Sequence, residues 1–274
     1  MSAADANHYV LAGAGKMGFA MLEGWLRQGL APGAITILDP QPSKPLQARC
    51  QETGISLNPP PATIRPADVM ILAIKPQMLA SAGPDLARIA QAQTLVISIM
   101  AGKSVDAIAA QLPHATAIIR CMPNTPAAVG RGITGLYANA AVNAAQKARA
   151  QSLMAAIGKV VFVDNESQID AVTAVSGSGP AYVFYMVECL ANAGVHLGLA
   201  PELAMQLARA TVEGSGELLH QSAPVAAGQL RINVTSPGGT TAAALAVLMG
   251  AQGLDPLMQS AVQAAYDRAR QLAD

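Results

Sequence analysis

The glycines of the run GAGKMG are the first residues whose types and spacing suggest chemistry. Gly13, Gly15 and Gly18 stand in the spacing G-x-G-x-x-G, between a predicted strand over 9–12 and a predicted helix over 17–28. Glycines in this context allow a tight turn and a close approach of a pyrophosphate, which then lies on the helix N-terminus. The spacing and its flanks predict a dinucleotide site, whereas the same pattern alone would indicate only a packed turn.

A second candidate ligand site lies in the run VTSPGGTTAAALAVL, residues 234–248, which joins hydroxyl side chains and glycines to an apolar helical run. Ser236 and the threonines are good N-cap residues, so a loop followed by a capped helix explains the pattern without a ligand. A helix N-terminus with bare glycine amides also offers unpaired N–H donors to an anion. Position in the sequence leaves both interpretations open.

Asp39 follows the second predicted strand and stands 26 residues beyond Gly13, near the usual place of a carboxylate that accepts hydrogen bonds from the adenosine ribose. A carboxylate there favours NAD(H), because it would repel a 2′-phosphate by on the order of 1 kcal/mol. Ser43, Lys44 and Arg49 are close in sequence and could bind that phosphate if Asp39 points elsewhere. The expected cofactor is NADP(H) or NAD(H), with the preference open.

Two further segments stand where predicted strands end, and open α/β sheets bind ligands at the carboxyl ends of their strands. The first segment consists of Ala73, Ile74, Lys75 and Pro76. The second is RCMPNTP, residues 120–126, in which two prolines around Asn124 make a stiff loop suited to hold a nicotinamide amide. Each segment is alternatively an ordinary structural turn.

The elements that must position these residues change character near residue 166. Upstream, short apolar runs alternate with helical segments, which is the rhythm of βαβ units, and continuous apolar strands are typical of a parallel sheet covered on both faces. The predicted strands cover 9–12, 35–38, 69–74, 95–99, 117–121, 132–137 and 160–163. The predicted fold class is therefore α/β, with a Rossmann domain, a parallel doubly wound sheet, over residues 1–165.

Residues 166–274 are predicted to form an all-α domain, since strand signals disappear from about Ser167. Pro201 and Pro256 suit a first helical turn, and Asp255 is a candidate N-cap. The predicted helices cover 168–175, 181–197, 201–219, 240–250 and 256–272, with a break at SGSGP. They are apolar on several faces and need a large partner surface. We expect a homodimer or larger homo-oligomer, with a compact monomeric domain as the alternative.

Composition argues against several classes of protein. The 274 residues are 52% hydrophobic, but no window reaches the roughly 18 uninterrupted apolar residues of a membrane helix. The opening MSAADANH lacks the basic start and apolar core of a signal peptide, which predicts a short disordered tail and a cytoplasmic protein.

Residues 1–159 carry 13 Lys+Arg and 7 Asp+Glu, a surplus that suits a phosphate-bearing cofactor. With 3% aromatic residues and no basic run, nucleic acid is not an expected partner.

The cysteines and histidines lie outside every motif that suggests chemistry. Cys50, Cys121 and Cys189 are widely spaced and lack the spacing of metal ligands, so we expect buried thiols and no metal. The four histidines are expected to be structural or at the surface; they are His8, His114, His196 and His220.

The motifs GAGKMG, AIKPQ, RCMPNTP, SGSGPAY and VTSPGGTT together resemble, in order and over nearly the whole chain, the pyrroline-5-carboxylate reductases. The last motif is similar to the C-terminal signature of that family. The resemblance implies a Rossmann domain followed by an all-helical dimerisation domain, with an active site between the Rossmann domain and helical domains of both subunits. It also implies NAD(P)H-dependent hydride transfer to the C=N carbon of L-1-pyrroline-5-carboxylate, which gives L-proline in the last step of proline biosynthesis.

The resemblance also assigns residues to the site. The cofactor residues that it implies are Gly13, Ala14, Gly15, Lys16, Met17, Gly18, Ala73, Ile74, Lys75, Pro76 and Asn233. The substrate residues that it implies are Gly239, Thr240 and Thr241, whose loop offers backbone amides to the carboxylate. Thr241 resembles the threonine that hydrogen-bonds the ring nitrogen, which makes it the implied catalytic residue.

The chain departs from the family pattern at three places. Ile232 stands where Asp is common, and an acidic substrate contact that some members place near Pro224 is missing. Many members carry small polar residues at the ribose site, whereas Asp39 looks more like a reader of NADH.

The chemistry of imine reduction demands no strong side-chain base, because a protonated imine already accepts hydride and the protein mainly orients it. A hydroxyl such as that of Thr241 can serve the ring nitrogen directly or through water. The runner-up is a β-hydroxyacid dehydrogenase, but such enzymes use a lysine of the helical half, and no Lys follows Lys159. The alternative outside the enzymes is a regulatory module that binds dinucleotide without turnover.

Overall fold

The computed structural model describes residues 7–272, and the second residue of this part of the chain is a buried histidine. His8 is 4% exposed; its Nε2 lies 2.9 Å from Thr36 Oγ1, and its backbone N–H donates to Asp68 Oδ2 at 2.6 Å. Burial lowers the pKa of His8 and so favours the neutral ring. The predicted disordered tail is wrong for Asn7, whose side chain accepts from Arg149, and for His8. The rest of that tail, residues 1–6, lies outside the described residues.

Eight strands form one sheet within the described residues, in the order β3-β2-β1-β4-β5-β6-β7-β8. The strands are β1 (Tyr9–Ala12), β2 (Ile35–Leu38), β3 (Ser56–Leu57), β4 (Val69–Leu72), β5 (Leu95–Ser98), β6 (Ala117–Met122), β7 (Gly132–Ala138) and β8 (Gly158–Phe162). Every pair is parallel except β6 and β7, which are antiparallel. The predicted α/β class and its parallel sheet are confirmed, and the short β3 is an addition to the predicted strands.

Helices on both faces of the sheet explain why the strands are apolar at nearly every position. They are α1 (Lys16–Arg27), α2 (Lys44–Thr53), α3 (Leu79–Ile89), α4 (Val105–Gln111) and α5 (Ala144–Ala155). In β1, Leu11 packs into the core under α1, α2 and α5, whereas its neighbour Val10 packs into the core under α3 and α4. Each such buried aliphatic side chain contributes about 1.5–3 kcal/mol, so the two cores hold the strand ends in place.

The chain after β8 is helical as far as it is described. The helices are α6 (Gln168–Val172), α7 (Gly179–His196), α8 (Pro201–Gln221), α9 (Ala227–Asn233), α10 (Thr240–Leu248) and α11 (Leu254–Gln271). The predicted absence of strands after Ser167 is confirmed for the described residues. Pro201 occupies the first turn of α8 as predicted. Helix α9 was not predicted.

Two local predictions in this half concern helix ends. The break predicted at SGSGP is confirmed at Ser178, a bend between the π-helical segment Thr173–Gly177 and α7, but the predicted helix before it ends in π-helical and not α-helical turns. Helix α11 begins at Leu254, so Asp255 lies in its first turn and is not its N-cap. Helix ends commonly differ from expectation by one or two residues, but the π-helical segment is a distinct structure.

The described chain divides into two compact units, with the division between Ser178 and Gly179 and with the residues from Ala265 onward grouped with the first unit. The first unit contains the whole sheet and the π-helical segment, and the second contains α7 to α10. The boundary expected between residues 165 and 166 lies upstream of this division and stays a prediction.

The expectation that all three cysteines are buried is wrong for one of them. Cys50 and Cys121 are buried, and burial raises the pKa of both thiols, but Cys189 on α7 is exposed. Over residues 7–272, no three side chains of His, Cys, Asp or Glu are grouped as metal ligands. Nor does that range contain a helix with the length and apolarity needed to cross a membrane.

Candidate functional site

The glycine-rich loop between β1 and α1 has the geometry of a dinucleotide cradle. Gly13 has φ +86°, and a Cβ there would lie 2.7 Å from the backbone carbonyl of Ala73, at the end of β4. A Cβ on Gly18 would lie 2.6 Å from the carbonyl oxygen of Gly13, whereas one on Gly15 would meet nothing within 4 Å. Two glycines are therefore required by packing, and the third leaves open space beside the backbone for a ligand.

The N-terminus of α1 is free to face an anion. Gly15 is its N-cap, and no described side chain caps the first turn, which contains Lys16 and Met17. Amide groups at such an end and the positive end of the helix dipole stabilise a phosphate. The residues present fit the pyrophosphate of a nicotinamide dinucleotide.

Asp39 is held against this loop by hydrogen bonds. Its Oδ2 accepts from the backbone N–H of Ala14 at 2.8 Å, and its Oδ1 accepts from Gln41 at 2.9 Å. Asn58 fixes the Asp39 backbone: its Oδ1 accepts from the Asp39 N–H at 2.8 Å, and its Nδ2 donates to the Asp39 carbonyl at 2.7 Å. The carboxylate thus lies beside the loop predicted to hold pyrophosphate.

Sequence reasoning missed Asn58, which has φ +48° and is the one non-glycine residue with positive φ in the described chain. Asn tolerates this conformation, and its position after a short apolar run and before PPP was the available signal. A cavity of about 440 Å³ adjoins Asn58 and Asp39. Its lining includes Ala12, Leu38, Pro59, Ile64, Ile74 and Met78. The charged residues of the lining are Asp39, Asp85 and Arg88, and a mostly apolar cavity with a few polar groups suits an adenosine moiety.

The three residues considered for a 2′-phosphate have different surroundings. Arg49 forms a two-point ion pair with Glu23, with Nε–Oε1 at 2.7 Å and NH2–Oε2 at 3.0 Å, and this carboxylate raises the pKa of the guanidinium. The Ser43 hydroxyl accepts from the Leu46 N–H as the N-cap of α2. Of the three, Lys44 alone has no side-chain hydrogen bond or ion pair to the described residues, so it is the side chain left to face a 2′-phosphate.

The segment from Ala73 to Pro76 lies where the sequence placed it. The Ala73 N–H donates to the carbonyl of Ala12 at 2.7 Å, which fixes the end of β4 beside the end of β1. Lys75 then precedes a short 3₁₀ helix, Pro76–Met78. The structure therefore brings this segment and the glycine-rich loop together at one edge of the sheet.

Asn124 lies just beyond β6, and its side chain has two protein partners. Its Oδ1 accepts from the Ile133 N–H at 2.9 Å, and its Nδ2 donates to the Ser176 carbonyl at 3.1 Å. The role in nicotinamide binding predicted for Asn124 stays a prediction, and these contacts show a connection between β7 and the π-helical segment.

The candidate substrate loop belongs to the helical unit. Helix α10 begins at Thr240 with Gly239 as its N-cap, and no side chain caps it, so the expected Ser or Thr cap is wrong. A Cβ on Gly239 would overlap the Ser236 hydroxyl, so the loop closes tightly on itself. Thr241 is half-buried in the first turn, and the amides of this turn have no capping side chain. Asn233 ends α9, where its Oδ1 accepts from Gln229 at 2.8 Å.

Known families and relatives match both halves of the chain. Residues 9–102 match the model described as NADP oxidoreductase coenzyme F420-dependent, and residues 166–272 match pyrroline-5-carboxylate reductase dimerisation. A pyrroline-5-carboxylate reductase of Pseudomonas aeruginosa is 38% identical over 262 residues, which cover 96% of this chain and 95% of that protein. The chain belongs to the pyrroline-5-carboxylate reductase family. The reductase of Synechocystis is 47% identical over 206 residues, 75% of each chain.

Solved structures of the pyrroline-5-carboxylate reductase family agree with this assignment. The reductase of Coxiella burnetii has a TM-score of 0.90 and 35% identity, and the match covers 98% of this chain and 100% of that one. The pyrroline carboxylate reductase of Plasmodium falciparum, solved with NADP bound, has a TM-score of 0.80 and 27% identity over 99% and 100% of the chains. The fold predicted from the family resemblance is thereby confirmed.

Proposed function

We propose that this chain is a pyrroline-5-carboxylate reductase: it transfers hydride from NADPH or NADH to the C=N carbon of L-1-pyrroline-5-carboxylate and forms L-proline, the last step of proline biosynthesis. The observation that carries the proposal is the glycine-rich loop, packed on the end of β4 and braced by Asp39, in a chain of this family. The substrate is a small imine that carries a carboxylate.

The cofactor, when bound, supplies the hydride. The loop residues from Gly13 to Gly18 bind its pyrophosphate, Asp39 lies at the ribose, and the segment from Ala73 to Pro76 lines the dinucleotide. Asn233 of the helical unit is assigned to the same cofactor on the family resemblance. The open space beside Gly15 and the uncapped first turn of α1 support this assignment.

The substrate carboxylate is assigned to the N-terminus of α10. Gly239, Thr240 and Thr241 offer backbone amides there, and a carboxylate is stabilised by the amides and dipole of a helix N-terminus. Thr241 carries a hydroxyl that can donate to or accept from the ring nitrogen, and it supports protonation during reduction. The uncapped state of α10 supports this role, because a capping side chain would compete for the amides.

The functional unit proposed is a cytoplasmic homodimer or larger homo-oligomer, with a dinucleotide domain over 1–165 and a helical domain over 166–274. The match of residues 166–272 to a dimerisation model supports self-association. Helix α10 has no buried residue in the single chain, and α7 and α8 together have three. Apolar helices so exposed need a partner surface.

A steady-state assay of the purified chain tests the proposal. Pyrroline-5-carboxylate is supplied with NADH or with NADPH, and both cofactor oxidation and proline formation are followed. We expect equal amounts of oxidised cofactor and proline with at least one cofactor. A 3-hydroxy acid supplied with the oxidised cofactor is the control substrate, and turnover of that acid without any imine reduction would reject the proposal in favour of a β-hydroxyacid dehydrogenase.

A further inference from the structure

The Asn124 carboxamide connects two separate elements near the carboxyl end of β6. Its acceptor oxygen faces the N–H of Ile133 in β7, and its donor nitrogen faces the carbonyl of Ser176. Only one orientation of the amide satisfies a donor on one side and an acceptor on the other. The side chain therefore fixes the distance between β7 and the π-helical segment Thr173–Gly177.

The π-helical segment is also held by packing at this edge of the sheet. A Cβ on Gly177 would lie 3.6 Å from Met122 Sδ, at the last residue of β6. A Cβ on Gly135, which pairs with Met122, would lie 2.8 Å from Val172 Cγ1. Val172, the last residue of α6, and Gly177, the last residue of the π-helical segment, therefore lie close to the paired residues Gly135 and Met122.

An ion pair between a buried arginine and a half-buried glutamate anchors the chain just before α6. Arg120 NH1 lies 2.7 Å from Glu166 Oε1, and the side chains are 6% and 29% exposed. The same Oε1 accepts from the N–H of Val105, the first residue of α4, at 2.8 Å. The stretch that contains α6 and the π-helical segment is therefore held at two points, Glu166 before α6 and Ser176 near the end of the π-helical segment.

The position and backbone of the segment point to a ligand-binding role. It contains the wide i→i+5 hydrogen bond from the Ser178 N–H to the Thr173 carbonyl, at 2.8 Å. Such π-helical turns occur frequently at functional sites, and the carboxyl ends of strands are where α/β sheets bind ligands. Ser176, Gly177 and Ser178 are half-buried, so they are open enough to face a ligand.

We propose that Asn124 is a positioning residue: its carboxamide holds the π-helical segment in the conformation needed for imine binding, and it does not itself bind the cofactor. The proposal rests on the reductase function proposed above. In this proposal the two observed hydrogen bonds of Asn124 serve to hold the protein, and the π-helical segment is part of the substrate-binding surface.

Asn124→Asp tests the proposal, because it keeps the acceptor for Ile133 and replaces the donor to Ser176 with a carboxylate oxygen. We expect kcat/KM for pyrroline-5-carboxylate to fall at least tenfold, while the Kd of NADH and NADPH, measured by fluorescence titration without imine, changes less than twofold. Protonation of the introduced carboxyl restores a donor, so the activity relative to the unmodified chain should rise as pH falls.

Asn139→Asp is the matched control. Asn139 makes the same kind of bridge at the other end of β6, with Oδ1 accepting from Ile118 at 3.2 Å and Nδ2 donating to Thr116 at 2.8 Å. It should leave the imine kcat/KM within about twofold. If Asn124→Asp does not fold, Asn124→Gln, which lengthens the bridge and keeps both groups, takes its place with the same measurements of imine kcat/KM and cofactor Kd and without the pH dependence.

The possible results separate the two proposals. Weakened cofactor binding by Asn124→Asp, unchanged imine kinetics, or an equal loss in Asn139→Asp would each overturn the positioning role. An unmodified chain that binds cofactor but reduces no pyrroline-5-carboxylate would instead overturn the proposed function, and the imine part of this inference with it.

Discussion

Thr241 is the residue on which the proposed proton chemistry depends. Replacement by Ala removes one hydrogen bond to the ring nitrogen, so kcat/KM for the imine should fall roughly tenfold to a hundredfold, about 1.4–2.7 kcal/mol. Steady-state kinetics measure the effect. Thr241→Ser keeps the hydroxyl and should retain most of the activity, and an unchanged rate in Thr241→Ala would remove this residue from the mechanism.

Asp39 is expected to set the preference between cofactors. Asp39→Ser removes the charge that repels a 2′-phosphate, so the ratio of kcat/KM for NADPH to that for NADH should rise about tenfold, as ~1.4 kcal/mol would give. Arg49→Gln is the control, because Glu23 already engages Arg49 and its loss should leave the ratio unchanged. An unaltered ratio in Asp39→Ser would show that the carboxylate does not read the ribose.

At the residue scale, the sequence allowed prediction of groups whose role depends on local spacing. The three glycines and Asp39 form one site because strand ends in a parallel sheet meet at one edge. The partners of Asn124 and Asn58 were not predictable in this way. Asn124 contacts Ser176 across 52 positions, and Asn58 contacts Asp39 across 19, so each pair exists only after folding.

At the scale of elements, Gly158 limits how β8 joins the sheet. It has φ +147°, and a Cβ there would overlap the backbone of Gly132 in β7. Gly158→Ala should therefore lower the free energy of unfolding by about 2 kcal/mol or more, from backbone strain and overpacking. Urea denaturation measures this change.

Gly33→Ala is the control for that substitution, since a Cβ at Gly33 meets nothing within 4 Å and its φ is negative. It should change the free energy of unfolding by less than about 1 kcal/mol. Equal stability of the Gly158 and Gly33 variants would mean that the β7–β8 approach is not as close as described.

The elements that were predicted are those with a strong local pattern. Strands β1, β4, β5 and β6 are mostly apolar on both faces because helices cover both faces of the sheet. Their short, nearly continuous apolar runs are therefore visible in the sequence. The two-residue β3 and the seven-residue α9 carry too few positions for a period to be visible. The SGSGP run was expected to break the helix, and Ser178 does so, but the π-helical turns before it depend on a contact distant in sequence, the hydrogen bond from Asn124 to Ser176, and were not predictable.

At the scale of the whole molecule, the exposed apolar side chains of the helical unit predict self-association. Phe184 on α7 is 64% exposed in the single chain. A charge at an apolar interface is costly, so Phe184→Glu should shift the protein from dimer or larger assembly towards monomer in sedimentation velocity. Val129→Glu, at a valine of the first unit that is 74% exposed, should leave the assembly intact. A monomeric unmodified chain would contradict the proposed homo-oligomer.

The most direct test of the central claim is hydride transfer followed by isotope. Purified chain is given pyrroline-5-carboxylate with NADH or NADPH deuterated at the nicotinamide C4, on each face in turn, and the product is examined by mass spectrometry and NMR. We expect L-proline with one deuterium at the former C=N carbon from one face of the cofactor. Cofactor binding with no labelled proline from either face or either cofactor would contradict it and would favour a regulatory module that binds dinucleotide without turnover.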